Sequence, residues 1–272
     1  MKSSWKDFKR FLGMTRLYAR VGLSRMTPRK AYVMLRYWVL TQLFRRKIPW
    51  LIELSVTYRC NCRCKHCSVS NYFSDADLSR ELKTGEIKKI LDEAVAMGIP
   101  KVDYFGGEPL LRKDIVDLVR YGESLGLYIS LTTNAWLLSR PMIRDLKEAG
   151  ISCVNVSLDS VDEEEHDRLR GLPGVYRRAV EAVRGCHEEN IPCIVSTYVT
   201  RRRIQNFATP QDDSALSAII QFAKSLRAAG IRILFPIISG EWVKKKEIEL
   251  SEAEKRLVIE NMDPAFAFIE GA

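Results

Sequence analysis

The chain has 272 residues, 46% of them hydrophobic, with a formal net charge of +9 and seven cysteines. That length supplies the core of one large α/β domain or of two small ones. There is no run of eighteen or more apolar residues and no apolar stretch with a small-residue cleavage site behind the basic start, which excludes a spanning helix and a secretory signal. Seven cysteines, four of them in one loop, fit a reducing compartment better than a disulfide framework. Cytoplasmic placement is therefore the expectation, with peripheral contact at a membrane as a variant.

Charge divides the chain. Residues 1–50 hold thirteen Lys or Arg against one acid, Asp7, while the remainder carries 30 basic and 33 acidic residues. The leader, residues 1–48, reads as a basic helical extension. Trp5, Phe8 and Leu12, and Phe11, Met14, Tyr18 and Val21, recur at helical spacing over 4–26. Thr27-Pro28 reads as cap and first residue of a second helix over 28–47. Its apolar part is too short to span a bilayer. Two placements stay open: a helix pair closing the bottom of the main domain, or an interfacial helix on an anionic membrane surface. Nucleic acid is disfavoured.

From residue 49 a second rhythm begins. Strands are expected at 50–57, 101–105, 127–133, 152–159, 192–199 and 231–237, with helices at 83–98, 112–125, 139–149, 175–190 and 212–229. Gly98, Gly126, Gly150 and Gly230 each stand where a helix would end in the left-handed conformation. Six β/α units predict a parallel sheet, a partial (β/α)6 TIM-like barrel over 49–240. Three strands alternate apolar and polar residues. Cys153, Asn155, Ser157 and Asp159 oppose Val154, Val156 and Leu158; Ser130, Thr132 and Asn134 share one face; Glu53, Ser55 and Thr57 share another. A polar inner face predicts an interior site in place of a dry core. Residues 241–272 read as a C-terminal extension with a solvated charge run at 244–246 and a helix near 251–261.

Four thiols fall within eight positions, Cys60 to Cys67, directly after the first strand. Neighbouring side chains cannot all face one core, so this loop binds metal, forms disulfides or does redox chemistry. A structural zinc site would need Cys62 or His66 as its fourth ligand and has no second cysteine pair. Three thiolates, Cys60, Cys64 and Cys67, suit three irons of a 4Fe–4S cluster.

Cys60-x3-Cys64-x2-Cys67 after a strand, with Gly106-Gly107-Glu108-Pro109 after the next, resembles the radical SAM superfamily. Thr132-Thr133-Asn134 and Ser157-Leu158-Asp159-Ser160 extend the resemblance, which covers about residues 50–238. It implies a 4Fe–4S cluster on the three cysteines and S-adenosylmethionine on its open iron. Gly106, Gly107, Glu108 and Pro109 would hold the cofactor's amino group, with glycine letting backbone approach. Thr132, Asn134 and Ser157 would meet its ribose and carboxylate, Asp159 the ribose or the substrate, and His66 would lie beside the adenine. Ser196 and Thr197 are weaker candidates, and Cys62 is read as a non-ligand. The implied activity is reductive cleavage to a 5′-deoxyadenosyl radical that takes hydrogen from a substrate, with a flavodoxin or ferredoxin as low-potential electron donor.

The substrate is not legible. The basic aromatic leader leans weakly to a membrane-associated, lipid or isoprenoid substrate. A peptide- or protein-modifying maturase is the alternative, because the chain resembles the SPASM/twitch branch. It lacks that branch's C-terminal cysteines, which leaves either an enzyme without auxiliary clusters or a piece of a longer one. A non-catalytic iron–sulfur electron-transfer or sensing protein is the reading from another class.

Overall fold

The structure, a computed structural model, describes residues 2–68, 81–205, 216–236, 240 and 249–269. The expected charge run at 244–246 and the first residues of the helix expected at 212–229 lie outside them.

Alternating patterns of period 2 and 3.6 fold as expected into parallel strands with crossover helices. The strands are β1 Leu51–Thr57, β2 Lys101–Gly106, β3 Tyr128–Thr133, β4 Cys153–Ser157, β5 Cys193–Tyr198, β6 Gly230–Leu234 and β7 Ala267–Ile269, paired in that order. Every pairing is parallel, and β1 and β7 are the two edges of the sheet. The helices are α1 Lys2–Leu23, α2 Pro28–Trp38, α3 Thr84–Met97, α4 Ile115–Ser124, α5 Arg140–Glu148, α6 Glu163–Arg170, α7 Val175–Glu188, α8 Arg201–Gln205, α9 Leu216–Ser225 and α10 Glu252–Asn261. Ile129, Leu131, Val154, Val156, Val195 and Ile231 from the strands pack on Leu91, Leu118, Leu146, Val183 and Ile219 from the helices, all buried. That is the dry layer. The barrel interior is the wet one.

Two expectations change. The sequence division at 240 cuts one sheet, because β7 from the tail pairs with β6 (Ile231 opposite Ala267) and makes a seventh strand. Three residues with one strongly apolar neighbour carry too little pattern to announce a strand. Gly230 does not cap a helix either. Arg227 takes the left-handed turn (φ 60°), and Gly230 opens β6, where a Cβ would meet Leu17 and the Phe266 carbonyl at 2.9 Å. Gly98, Gly126 and Gly150 are left-handed as expected.

The leader lies across the N-terminal ends of the strands. Thr27 caps α2 by accepting from the Lys30 amide. Leu17 and Val33 are buried, and the Tyr128 hydroxyl donates to the Val21 carbonyl at 3.2 Å. Its cations meet the carbonyl ends of the barrel helices. Arg25 donates to Lys147 O at 2.9 Å, Arg29 to Ser124 O at 2.7 Å and Arg36 to Ala96 O at 3.0 Å. Those are the last turns of α5, α4 and α3, where unpaired carbonyls and the helix dipole favour positive charge. Part of the leader's basicity is thus a set of C-terminal caps for the barrel. Lys30 is fully buried among them, donating to Arg25 O and Gly150 O at 3.3 Å beside Glu123 at 3.8 Å. Lys30→Met keeps the stem and removes those bonds, so the urea midpoint is expected to fall by the equivalent of about 1–3 kcal/mol. An unchanged midpoint would mean the leader is not coupled to the barrel.

Candidate active site

The C-terminal ends of the strands surround a cavity of about 270 Å³. Cys60, Cys64, Cys67, His66, Gly106, Gly107, Thr132, Asn134 and Ser157 all line it. Glu108, Pro109 and Asp159 do not appear in that lining and stand behind it. Ser196 lines it as well, while the Thr197 hydroxyl turns to Arg203. Sequence reading missed Asp103, Arg170, Tyr198 and Arg232, which also line the wall. Arg170 and Arg232 look like ordinary solvated cations in the sequence; only their inward strand and helix positions reveal them.

The cysteine loop is fixed from three sides. On one, the glycine pair lies on the chain leaving β1: Gly107 N donates to Thr57 O and Glu108 N to Arg59 O, both at 2.7 Å. A Cβ at Gly106 or Gly107 would sit 2.2 Å from Thr57 O or Arg59 O. Glycine is therefore required for the approach of the two loops to each other, besides any approach to a ligand. On the second side, Arg63 N donates to Arg170 O (3.0 Å) and Lys65 N to Leu169 O (2.9 Å) at the end of α6. On the third, Asn134 Nδ2 donates to Asn61 Oδ1 at 2.8 Å.

Glu108 holds that third side together. Its carboxylate accepts from Thr133 Oγ1 at 2.6 Å, Asn134 N at 2.8 Å and Leu110 N at 3.2 Å, and it is wholly buried. Burial raises its pKa to about 7 against the pull of these bonds. The side chain expected to accept from the cofactor's ammonium is thus engaged by the protein itself. What the motif offers the cavity is the Gly106–Gly107 backbone.

Asp159 is a second brace. Its Oδ2 lies 2.7 Å from Arg170 Nη2 and 3.3 Å from His66 Nε2, and its Oδ1 accepts from Tyr198 N at 3.3 Å. The ribose or substrate contact expected of it gives way to an ion pair behind the wall. Arg170 offsets the burial and holds the carboxyl well below its usual range. Arg170 also reaches Cys64 Sγ at 3.8 Å. The Cys64 thiol is drawn down to about 6, first by its hydrogen bond with Cys62 and then by Arg170, against burial. Cys60 is lowered by the same kind of bond, and Cys62 is correspondingly raised. Cys62 is buried, and its backbone N–H donates to Cys60 Sγ at 3.4 Å. His66 packs its ring on Tyr198, centroids 4.9 Å apart. Deeper in the barrel, Thr132 Oγ1 donates to Asp103 (2.9 Å) and accepts from Asn155 (3.1 Å) and Arg232 (3.3 Å).

His166 completes the brace by accepting from Asp159 N at Nδ1, 3.1 Å. Burial lowers its pKa to about 4. The folded protein therefore resists the proton that the unfolded chain takes up below about pH 6.5. Stability should be full above that pH and fall by up to about 3 kcal/mol towards pH 4. His166→Asn keeps an acceptor and does not titrate, so its melting temperature should show a shallower acid slope; identical slopes would contradict this.

The donor set fits a cluster better than a single ion. Four thiols, Cys60, Cys62, Cys64 and Cys67, line one cavity beside the buried Arg170. Thiolates spread around a pocket suit a polynuclear iron–sulfur group.

Comparison with known proteins agrees. An AdoMet-dependent heme synthase of Methanosarcina barkeri is 30% identical over 209 residues, covering 77% of this chain and 57% of that protein. A PqqA peptide cyclase of Bradyrhizobium diazoefficiens is 35% identical over 160 residues, covering 58% and 41%. The chain spans about half the length of the curated relatives it matches. Among solved structures, Streptococcus suis SuiB bound to precursor peptide SuiA aligns with a TM-score of 0.66 at 19% identity, over 88% of this chain and 53% of that one. Methylornithine synthase (PylB) aligns at 0.60 and 17%, over 93% and 73%. These likenesses show the fold, an α/β partial barrel. The sequence profile of the Radical SAM superfamily matches residues 54–203, more than half the chain. The chain belongs to the Radical SAM superfamily, whose enzymes use a 4Fe–4S cluster and S-adenosylmethionine.

Proposed function

We propose that this chain is the catalytic core of a radical SAM enzyme acting on a peptide or protein. One observation carries the chemistry: Cys60, Cys64 and Cys67 line the same cavity as the Gly106–Gly107 backbone, Thr132 and Ser157. The cysteines hold the cluster and the glycine backbone takes the cofactor's amino group. Ser157 takes one of its hydroxyl or carboxylate oxygens, His66 on Tyr198 gives a flat wall for the adenine, and Thr132, whose hydroxyl is committed to Asp103, Asn155 and Arg232, shapes the wall. When bound, the cluster would supply the electron for reductive cleavage of the cofactor's sulfonium C–S bond. The residues here orient the cofactor and keep water from it. The electron comes from a low-potential flavodoxin or ferredoxin.

Similarity to PqqA peptide cyclases and to a fold solved with its precursor peptide supports the peptide class. A tetrapyrrole substrate is the second reading, supported by the similarity to a heme synthase and to Fe-coproporphyrin III synthase. A lipid or isoprenoid substrate has less support, because the aromatic leader lies at the end of the barrel opposite the cavity.

The test is anaerobic reconstitution with iron and sulfide, followed by dithionite, S-adenosylmethionine and chromatography. 5′-Deoxyadenosine is the expected product, absent when the cluster is omitted. A brown protein that forms none would favour a non-catalytic cluster protein, and a protein that takes up no iron would overturn the reading altogether.

A further inference from the structure

Independently of the cavity's chemistry, the outer face of the leader carries apolar side chains that the barrel does not use. Of the thirteen large apolar side chains exposed among the described residues, nine lie between residues 12 and 50. Tyr32, Leu35, Trp38 and Leu43 follow one another at helical spacing along α2 and the π-turn Val39–Leu43, and each is 60 to 70% exposed. The other side of the same segment is the docked one, with Val33 against Gly126 and Leu40 against Gly98. Scattered exposed leucines are ordinary, but a stripe that gathers most of the exposed apolar side chains marks a contact surface.

The charge beside the stripe narrows the partner. Arg25, Arg29, Lys30 and Arg36 are engaged by barrel carbonyls. Arg45, Arg46 and Lys47 lie past those contacts and are exposed. They follow Leu43 and Phe44 directly, and no acidic residue occurs between Asp7 and Glu53. Two copies meeting through this face would oppose their own positive charge. An aromatic and aliphatic stripe edged by cations suits the boundary between lipid headgroups and acyl chains.

We propose that this face seats the protein on an anionic lipid surface. Tyr32, Leu35, Trp38 and Leu43 enter the headgroup boundary, and Arg45, Arg46 and Lys47 meet lipid phosphates. The leader covers the N-terminal ends of the strands while the cavity opens at their C-terminal ends. Seated in this way, the protein holds its active-site mouth away from the bilayer, and the contact anchors the enzyme without delivering a lipid to the cavity.

The test is co-sedimentation of the full chain with phosphatidylglycerol–phosphatidylcholine vesicles and with pure phosphatidylcholine vesicles. Binding to the anionic vesicles is expected, weakened by salt. It should fall about ten-fold in Trp38→Ser/Leu43→Ser and in Arg46→Glu/Lys47→Glu. Both variants should keep the parent's melting temperature and deoxyadenosine yield, because both sites face away from the barrel. No binding to anionic vesicles would overturn the proposal, as would equal binding by parent and variants. A concentration-dependent dimer that either variant dissolves would also overturn it and assign the face to a second copy.

Discussion

Arg170→Met is expected to destabilise the folded protein by about 3–5 kcal/mol, the usual cost of removing one partner from a buried ion pair. Arg170 and Asp159 are both buried, with Nη2 and Oδ2 2.7 Å apart. Among the remaining neighbours, burial draws His66 and His166 down to about 4, and Arg203 acts on Asp159 more weakly than Arg170 does. Methionine fills much of the space, so the loss reports the stranded carboxylate and little cavity formation. The double variant Arg170→Met/Asp159→Asn should recover more than half of the deficit in a denaturant titration. A single-variant loss under about 1 kcal/mol would show that the pair does not brace the site. The same substitution removes the cation beside Cys64 Sγ. The reconstituted cluster should then become harder to reduce, with a more negative midpoint in a redox titration.

Gly107→Ala is expected to lower the rate of cofactor cleavage about a hundred-fold with little change in cluster content. Its Cβ would stand 2.2 Å from the Arg59 carbonyl, which is backbone and cannot swing aside. The loop must move by about an ångström, and misplacement on that scale costs about two orders of magnitude in a positioned reaction. It also breaks the 2.7 Å bonds that tie Gly107 and Glu108 to the residues ahead of Cys60. Single-turnover deoxyadenosine formation against iron content separates the two effects. A full rate in the variant would show that this approach does not position the cofactor.

The sequence made the cysteine loop, the glycine motif and the strand ends legible because each is local. Thiol spacing lies within eight residues, and a strand's wet face follows from alternation, so Thr132 and Ser157 could be placed on the inner wall. Contacts between distant segments were not legible. Arg170 ends α6, a helix that carries no apolar stripe, and nothing in its neighbourhood announces that its partner is Asp159. Glu108 reads as a ligand because the resemblance of Gly106-Gly107-Glu108-Pro109 to the family motif implies it. Only the fold shows that Thr133, Leu110 and Asn134 already fill its oxygens. The leader's charge was visible as composition, but its use as helix caps depends on where α3, α4 and α5 end. β7 was missed because three residues cannot display a period.

The proposed chemistry requires a cluster that three cysteines hold and that leaves one iron open to S-adenosylmethionine. Electron paramagnetic resonance of the dithionite-reduced, reconstituted protein, with and without S-adenosylmethionine, addresses this directly. A 4Fe–4S spectrum that changes when S-adenosylmethionine is added and that persists in Cys62→Ala is expected. A spectrum indifferent to S-adenosylmethionine, with the cluster lost in Cys62→Ala, would show four protein ligands and contradict that chemistry.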